Sequence, residues 1–460
     1  MYLRLLPLAL MLTACATSGT PVYLAPARFE LAPVQHPVVA MVERYEVAIS
    51  GREALPYSGL HAAAFPNGLP FAPGSGLALK KVEKDGSLVF WSLGDRGPNA
   101  DSPKAMINGK KTDSKVFLTP DFVPRLAEIR VELAGKAELI RTIALSQDNQ
   151  PMSGLPLPPG QVGASGEVPL ADNIATLPYH SRGIDPEGIA VDKQGKLWIV
   201  DEYGPFLAQV DPESGKLLRK LAPGQGLPAE IGARQPNRGF EGVAVTPNGK
   251  VYAAVQSTLD LDGKTKNSAQ FTRIVELDPV SGATRQLAYP IDVDAYKKTS
   301  DAKLGDLVAI SDTQLLLIEQ GKDKSGKMRN VIYAIDIAQA DDIGARKTRE
   351  GKALEYAGAD EIKATRLIRK QKVLDLRDLG WTAEKAEGLA LIEGGLAVIN
   401  DNDFGLSAVI NGDKGQDMDD YTVNGNQISN KGQLTVKASA EATQLWLLHL
   451  KQPLSKYFPK

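Results

Sequence analysis

Ser181-Arg-Gly-Ile-Asp-Pro-Glu-Gly-Ile-Ala-Val-Asp-Lys-Gln-Gly-Lys-Leu-Trp-Ile-Val-Asp-Glu-Tyr-Gly204 is the stretch whose reading decides the fold. An acid, Glu187, opens a short apolar run to Val191. Lys193-Gln-Gly195 is turn chemistry, and Lys196 to Val200 is a second apolar run closed by Asp201-Glu202. Two short β-rich runs joined by a Gly turn read as a hairpin. Phe206 to Val210 and Leu217 to Leu221, separated by Asp211-Pro-Glu-Ser-Gly215, extend it to a four-stranded meander.

The same pattern recurs along the chain. Ser75-Gly-Leu-Ala-Leu79 precedes a Lys84-Asp-Gly86 turn and a strand that ends in Gly94-Asp-Arg-Gly97. Phe240-Glu-Gly-Val-Ala-Val245 precedes Pro247-Asn-Gly249 and a strand ending at Gln256. Gly305-Asp-Leu-Val-Ala-Ile310 is a weaker copy, and Glu387-Gly-Leu-Ala-Leu-Ile392 leads to Asn400-Asp-Asn-Asp403. Repeated four-stranded meanders are the signature of a β-propeller. The expected fold is all-β, a propeller of about six blades, with the sixth assembled from less regular material and the chain ends. Residues 41–460 are expected to form that single domain.

Composition agrees with a globular β protein. Of 460 residues, 43% are hydrophobic and 23% charged, with formal net charge −2. No basic stripe marks a nucleic-acid partner, and a monomer is expected. The one cysteine, Cys15, lies at the end of Leu12-Thr-Ala-Cys15, after Arg4 and an apolar run Leu5 to Leu12. That run is shorter than the ~20 residues a membrane span needs. It reads as a signal peptide over 1–14, with Cys15 the lipidated first residue and 15–40 a tether. Ala16 after the cysteine points to the outer membrane, facing the periplasm, with the lipid as the only membrane contact.

In a propeller, equivalent strand ends face one another across a channel. Glu187, Glu241 and Glu387 stand before the repeat glycine, and Asp306 stands after Gly305 in the weak copy. Like charges gathered so closely need protons or a counter-ion, and hard oxygen ligands suit Ca²⁺. Asp401 closes a second strand and joins the expected metal set. Asp201, Glu202 and His180, with Glu187, are the expected catalytic groups. Arg96, Arg182 and Arg238 each precede a glycine and are expected to hold an anionic substrate. Taken singly, a strand-end carboxylate serves a turn, and each arginine serves a neighbouring Glu, as readily as either serves a site. Repetition at one position of the repeat favours the site. The four scattered histidines show no metal spacing, and no nucleophile elbow, Walker loop or dinucleotide fingerprint occurs.

These motifs resemble the bacterial phytase-like domain family, described as having esterase-like activity of phytase. The resemblance rests on Gly94-Asp-Arg-Gly-Pro98, Asp185-Pro-Glu-Gly188 with Asp201-Glu-Tyr-Gly-Pro205, Phe240-Glu-Gly242 and Asp401-Asn-Asp-Phe-Gly405, and runs from about Gly76 to Gly405. It implies an exported propeller that hydrolyses phosphoesters or carboxylic esters, assisted by calcium, with a small anionic ester as substrate. Ile318-Glu-Gln-Gly321 departs from the family's Glu-Arg-Asp pattern. Two other readings stay open: a calcium-dependent lactonase on the same architecture, and a non-catalytic propeller that binds an envelope partner.

Overall fold

The computed structural model describes residues 23–25 and 27–459. Cys15 and the signal segment lie outside them. Five four-stranded antiparallel meanders surround one channel. The first blade is Gly76–Val82, Leu88–Leu93, Arg125–Val131 and Ala137–Ala144. The second is Pro186–Val191, Leu197–Asp201, Phe206–Val210 and Leu217–Pro223. The third is Phe240–Val245, Val251–Val255, Phe271–Leu277 and Thr284–Pro290. The fourth is Lys303–Ala309, Gln314–Lys322, Met328–Asp336 and Arg369–Asp375. The fifth is Gly388–Ile392, Gly395–Ile399, Gln444–Leu450 and Val39–Ser50.

Among the described residues the blade number is therefore five, where the repeat suggested six. The described segments near the chain ends complete the fifth blade rather than a sixth, with Val39–Ser50 pairing antiparallel to Gln444–Leu450. The first and last parts of the chain thus close the ring with backbone hydrogen bonds. Arg28–Pro33 pairs in register with Met41 to Glu46 and belongs to the same sheet. The domain thus begins well before residue 41, and much of the expected tether is strand.

The turns repeat as closely as the strands. Asp211 Oδ1 accepts the amides of Glu213 and Ser214, and Asp278 Oδ1 those of Val280 and Ser281. Gly215 and Gly282 follow at φ 69° and 75°, a region a side chain disfavours.

The five inner strands pack edge to edge around the channel. A Cβ on Gly188 would lie 2.7 Å from Glu241 O, and one on Gly242 2.6 Å from Gly305 O. Only glycine permits that approach. In the fourth blade the bulge falls at the same place, so Gly305 stands where the second and third blades carry glutamate, and Asp306, not Gly305, takes the glycine position beside Gly242. Asp306 is fully buried. Its Oδ1 accepts the amides of Leu307 at 2.9 Å and Val243 at 3.4 Å, and its Oδ2 that of Leu389 at 3.0 Å. The Leu77 amide also donates to it. Reaching four of five inner strands puts this carboxylate on the channel axis. Burial pushes it toward the neutral form, and the amides pull it back. It is occupied as a backbone acceptor, which corrects its assignment as a metal ligand. Beyond it the channel is apolar, a cavity of about 250 Å³ lined by Leu79, Ile189, Val191, Val245 and Leu391 among others.

Segments inserted on the opposite face make small extra sheets. Val168–Leu170 lies on Ser114–Phe117, and Thr422–Asn424 on Lys104–Ile107, both parallel. The polar stretch 97–115 thus supplies strands to a wall beside the channel mouth.

Asp306→Ala leaves several buried amides without their acceptor. It is expected to cost at least ~3 kcal/mol in urea unfolding, and Asp306→Asn less, because one oxygen remains. An unchanged midpoint for Asp306→Ala would show that the carboxylate does not tie the ring.

Candidate active site

Inner strands begin, and second strands end, at the same mouth. Glu187 and Glu241 sit at bulges, where the pairing shifts between Pro186 and Gly188 and between Phe240 and Gly242. A bulge turns its extra residue out of the strand's alternation, here toward the axis. In the fifth blade, the amides of Glu387 and Gly388 both face Ile399. Carboxylate oxygens of Glu187, Glu241 and Glu387 all lie within 4.8 Å of one another. Asp95, Asp185 and Glu187 form a second such trio, and Asp95, Asp401 and Asp403 a third. The glutamates expected to converge do so.

The neighbours orient them. Gln256 Nε2 donates to Glu241 at 2.7 Å and to Glu202 at 2.9 Å, and Asn237 Nδ2 donates to Glu202 at 2.7 Å. Lys385 Nζ bridges Asp401 at 2.6 Å and Asp403 at 2.9 Å. Asp403 and Phe404 stand at φ 50° and 54°, a backbone strain of ~1–3 kcal/mol each. Phe404 packs against Phe71 and Phe122 at centroid distances of 6.0 and 5.5 Å, which holds the turn and aims its acids at the mouth.

Carboxyl groups outnumber cations here, and their titration reflects it. Burial, with Asp401 beside it, pushes Asp95 up to about 7. Burial pushes Glu387 to about 8, although Lys385 pulls it down. Glu187 and Glu241 are raised by burial and by the neighbouring glutamates. Glu387 Oε2 and Gln256 Oε1 are buried without a hydrogen-bond partner among the described residues. All the donors are oxygens; among the described residues no histidine or cysteine joins them. Orphaned oxygens around uncompensated carboxylates fit a hard divalent cation.

Other expected residues are placed elsewhere or spent. Asp201 accepts the amides of Asp185 at 2.7 Å and Gly204 at 2.5 Å, so it shapes the loop and does not face a reacting group. His180 Nδ1 accepts the Arg182 amide, and Arg182 Nε donates to Pro151 O; neither side chain joins the acids. Arg96 is 5% exposed. It holds Glu167 at 2.9 Å, Asn237 at 3.1 Å and Asp185 at 3.6 Å, and thereby staples the long loops before the second and third blades to the first. It is a positioning residue, not a substrate clamp. Arg238 Nη1 donates to Ser257 Oγ at 3.1 Å and Ser300 O at 2.5 Å, and it lies within the field of Glu202 and Glu241. Glu319 and Gln320, where the family pattern departs, face away: Glu319 binds Tyr289 and Lys370, and Gln320 accepts the Ala386 amide.

The sequence marks Asp95 and Asp403 only as polar strand ends and gives Asp185, Lys303 and Lys385 no site role. Asp185, Lys303 and Lys385 share one repeat position, two residues before Glu187, Gly305 and Glu387. Aligning the copies there was the signal available.

Without a cation, stability should depend on pH. Unfolded carboxyls titrate near ~4, whereas Asp95 and Glu387 titrate at about 7 and 8 when folded. Between those values the folded state holds more protons, so stability is complete below about pH 4 and falls as pH rises through about 8. The melting temperature in EDTA should drop by several degrees from about pH 5 to pH 9, and Ca²⁺ should restore it. A flat profile in both conditions would contradict a gathered, uncompensated acid cluster.

Comparison with known proteins adds the following. A relative described as an uncharacterized secreted protein, from Arthroderma benhamiae, is 27% identical over 259 residues, 46% of this chain and 49% of its own. The chain thus spans about half the length of the curated relative it matches. Among solved structures, virginiamycin B lyase from Staphylococcus aureus aligns at TM-score 0.25 and 10% identity, over 82% of this chain and 95% of its own. A Dyadobacter fermentans protein of unknown function aligns at TM-score 0.32 and 10% identity, over 94% and 96%. The propeller assignment rests on strand topology. The sequence model described as esterase-like activity of phytase matches residues 71–404, and with the whole mouth inside that span the chain belongs to the phytase-like family.

Proposed function

We propose that this protein is an exported ester hydrolase whose reaction centre is the channel mouth, with Ca²⁺ held by Glu187, Glu241 and Glu387. The observation that carries this reading is the convergence of those three glutamates, from three blades, within 4.8 Å. The family name supports ester hydrolysis as the reaction class, and the secreted relative supports export. Cys15 as a lipid anchor, and an envelope site facing the periplasm, belong to the same proposal.

The bound cation would supply Lewis-acid polarisation of an ester oxygen. The chain's own residues do the rest. Asp95, at about 7, sits where a carboxyl both takes and returns a proton near neutral pH. It borders both Glu187 and Asp401, so a proton it accepts stays beside the glutamates. Glu202, fixed by Gln256 and Asn237, orients a polar group of the substrate or a water. Lys385 compensates Asp401 and Asp403 at close range and Glu387 at 3.8 Å, so Glu187 and Glu241 bring the least compensated charge to the cation that the three glutamates would hold.

One observation favours the lactonase alternative: Arg96 and Arg182, expected to grip an anion, are spent or remote. Phosphoesters, carboxylic esters and lactones assayed side by side decide between them. Glu187→Gln is expected to lower kcat/KM at least ~100-fold on the preferred ester while circular dichroism stays unchanged. EDTA should abolish the parent's activity and Ca²⁺ restore it. Full turnover by Glu187→Gln would overturn the assignment.

A further inference from the structure

The cations around the mouth differ in what they already hold. Arg96 is committed to Glu167, Asn237 and Asp185. Arg234 donates to the carbonyls of Tyr203, Gly163 and Ala164. Lys385 closes on Asp401 and Asp403. Lys303 is different. Its ammonium acts through space on Glu202, Glu241 and Glu387, yet among the described residues it closes on no hydrogen-bond or ion-pair acceptor.

Its position is built, not incidental. Lys303 opens the inner strand of the fourth blade. The Leu304 amide donates to Gln256 O at 2.7 Å, and Ser257 Oγ donates to Ala302 O at 2.9 Å. Gln256 is the residue whose amide bridges Glu202 and Glu241. Arg238 reaches the same segment through Ser300 O and, among the described residues, uses only Nη1 in hydrogen bonds. Lys303 and Arg238 therefore flank the glutamates from the third and fourth blades. Both are only half-buried.

We propose that Lys303, with Arg238, forms an anion subsite beside the glutamate trio and selects esters that carry negative charge at or next to the reacting group. Its chemistry rests on the hydrolase reading above, but its occupancy does not need turnover to be tested. An ammonium left unpaired among carboxylates is held away from them by competing pulls from several directions. A phosphoryl or carboxylate oxygen entering between it and a cation on the trio gains opposite charges on two sides. An oxyanion bound that way has the point-charge partner lysine supplies and the fork arginine supplies. A neutral ester gains from neither.

Inorganic phosphate is the probe. Calorimetric titration of the full chain in saturating Ca²⁺ should show phosphate binding to the parent, at least tenfold weaker binding to Lys303→Gln, and binding within about threefold of the parent in Lys303→Arg. Phosphate bound equally by parent and Lys303→Gln, or not bound by the parent, overturns the subsite. So does loss of Ca²⁺ binding in Lys303→Gln, because removing a positive charge should if anything tighten it; such a loss would mean the lysine merely holds the mouth together. The preference for p-nitrophenyl phosphate over p-nitrophenyl acetate, as a ratio of kcat/KM, should fall at least tenfold, through KM for the phosphate ester rather than kcat. A parent that turns over neither ester defeats the hydrolase reading, and the phosphate titration still decides the subsite.

Discussion

The molecule depends on the closeness of its five inner strands. Their approach excludes a Cβ at Gly188 and Gly242, and it brings their backbone amides to one axis. An amide buried at that axis needs an acceptor. Asp306 supplies it for four strands at once. One carboxylate thus does for the centre of the ring what hydrogen-bonded edges do within each blade. It also divides the channel, leaving an apolar cavity on one face and an acidic mouth on the other.

The mouth is the energetic counterpart of that closure. Drawing five strand starts together also draws together whatever precedes the glycines, and in three blades that is glutamate. Such a cluster is costly in isolation, since each buried charge raises the others' affinity for protons. The fold answers part of the charge itself. Lys385 serves the Asp401 side, Arg96 the Asp185 side, and Gln256 ties Glu202 to Glu241 with neutral donors. Within the glutamate trio Lys385 stands 3.8 Å from Glu387, while Glu187 and Glu241 have no ion-pair partner among the described residues, and there a divalent cation would relieve the most repulsion. Groups arranged against their own stability in this way are characteristic of functional sites.

Rigidity around the mouth comes from the loops rather than from the blades. Arg96 gathers residues from the first, second and third blades' approaches, and Arg234 pins the Gly163–Ala164 segment against Tyr203. The long connections before the second and third blades are walls held by charged hydrogen bonds. The insertions packed around Phe71, Phe122 and Phe404 hold the strained Asp403 turn in the same way, with apolar contacts in place of ionic ones.

The sequence by itself determined the repeat. The two-residue period, the Gly turns and the Asp-Pro-x-Ser-Gly hairpins are local chemistry, and they read directly as four-stranded blades with Glu187, Glu241 and Glu387 at equivalent starts. What lay beyond it was whatever depends on how copies meet. The blade number follows from which strands the chain ends join, and Val39–Ser50 pairs across the whole length of the chain. Asp306 looked like one more acid at the mouth, but it stands at the position that is glycine in the other blades, one residue past the glutamates, and so points to the axis. Arg96 looked like a substrate clamp until its partners, 71 and 141 residues away, were brought beside it. Lys303 and Lys385 carried no local signal as cations of a site, because a lysine before a strand is ordinarily solvated. Only the tertiary structure set them among buried carboxylates, where charge acts over short range through a poorly screening interior.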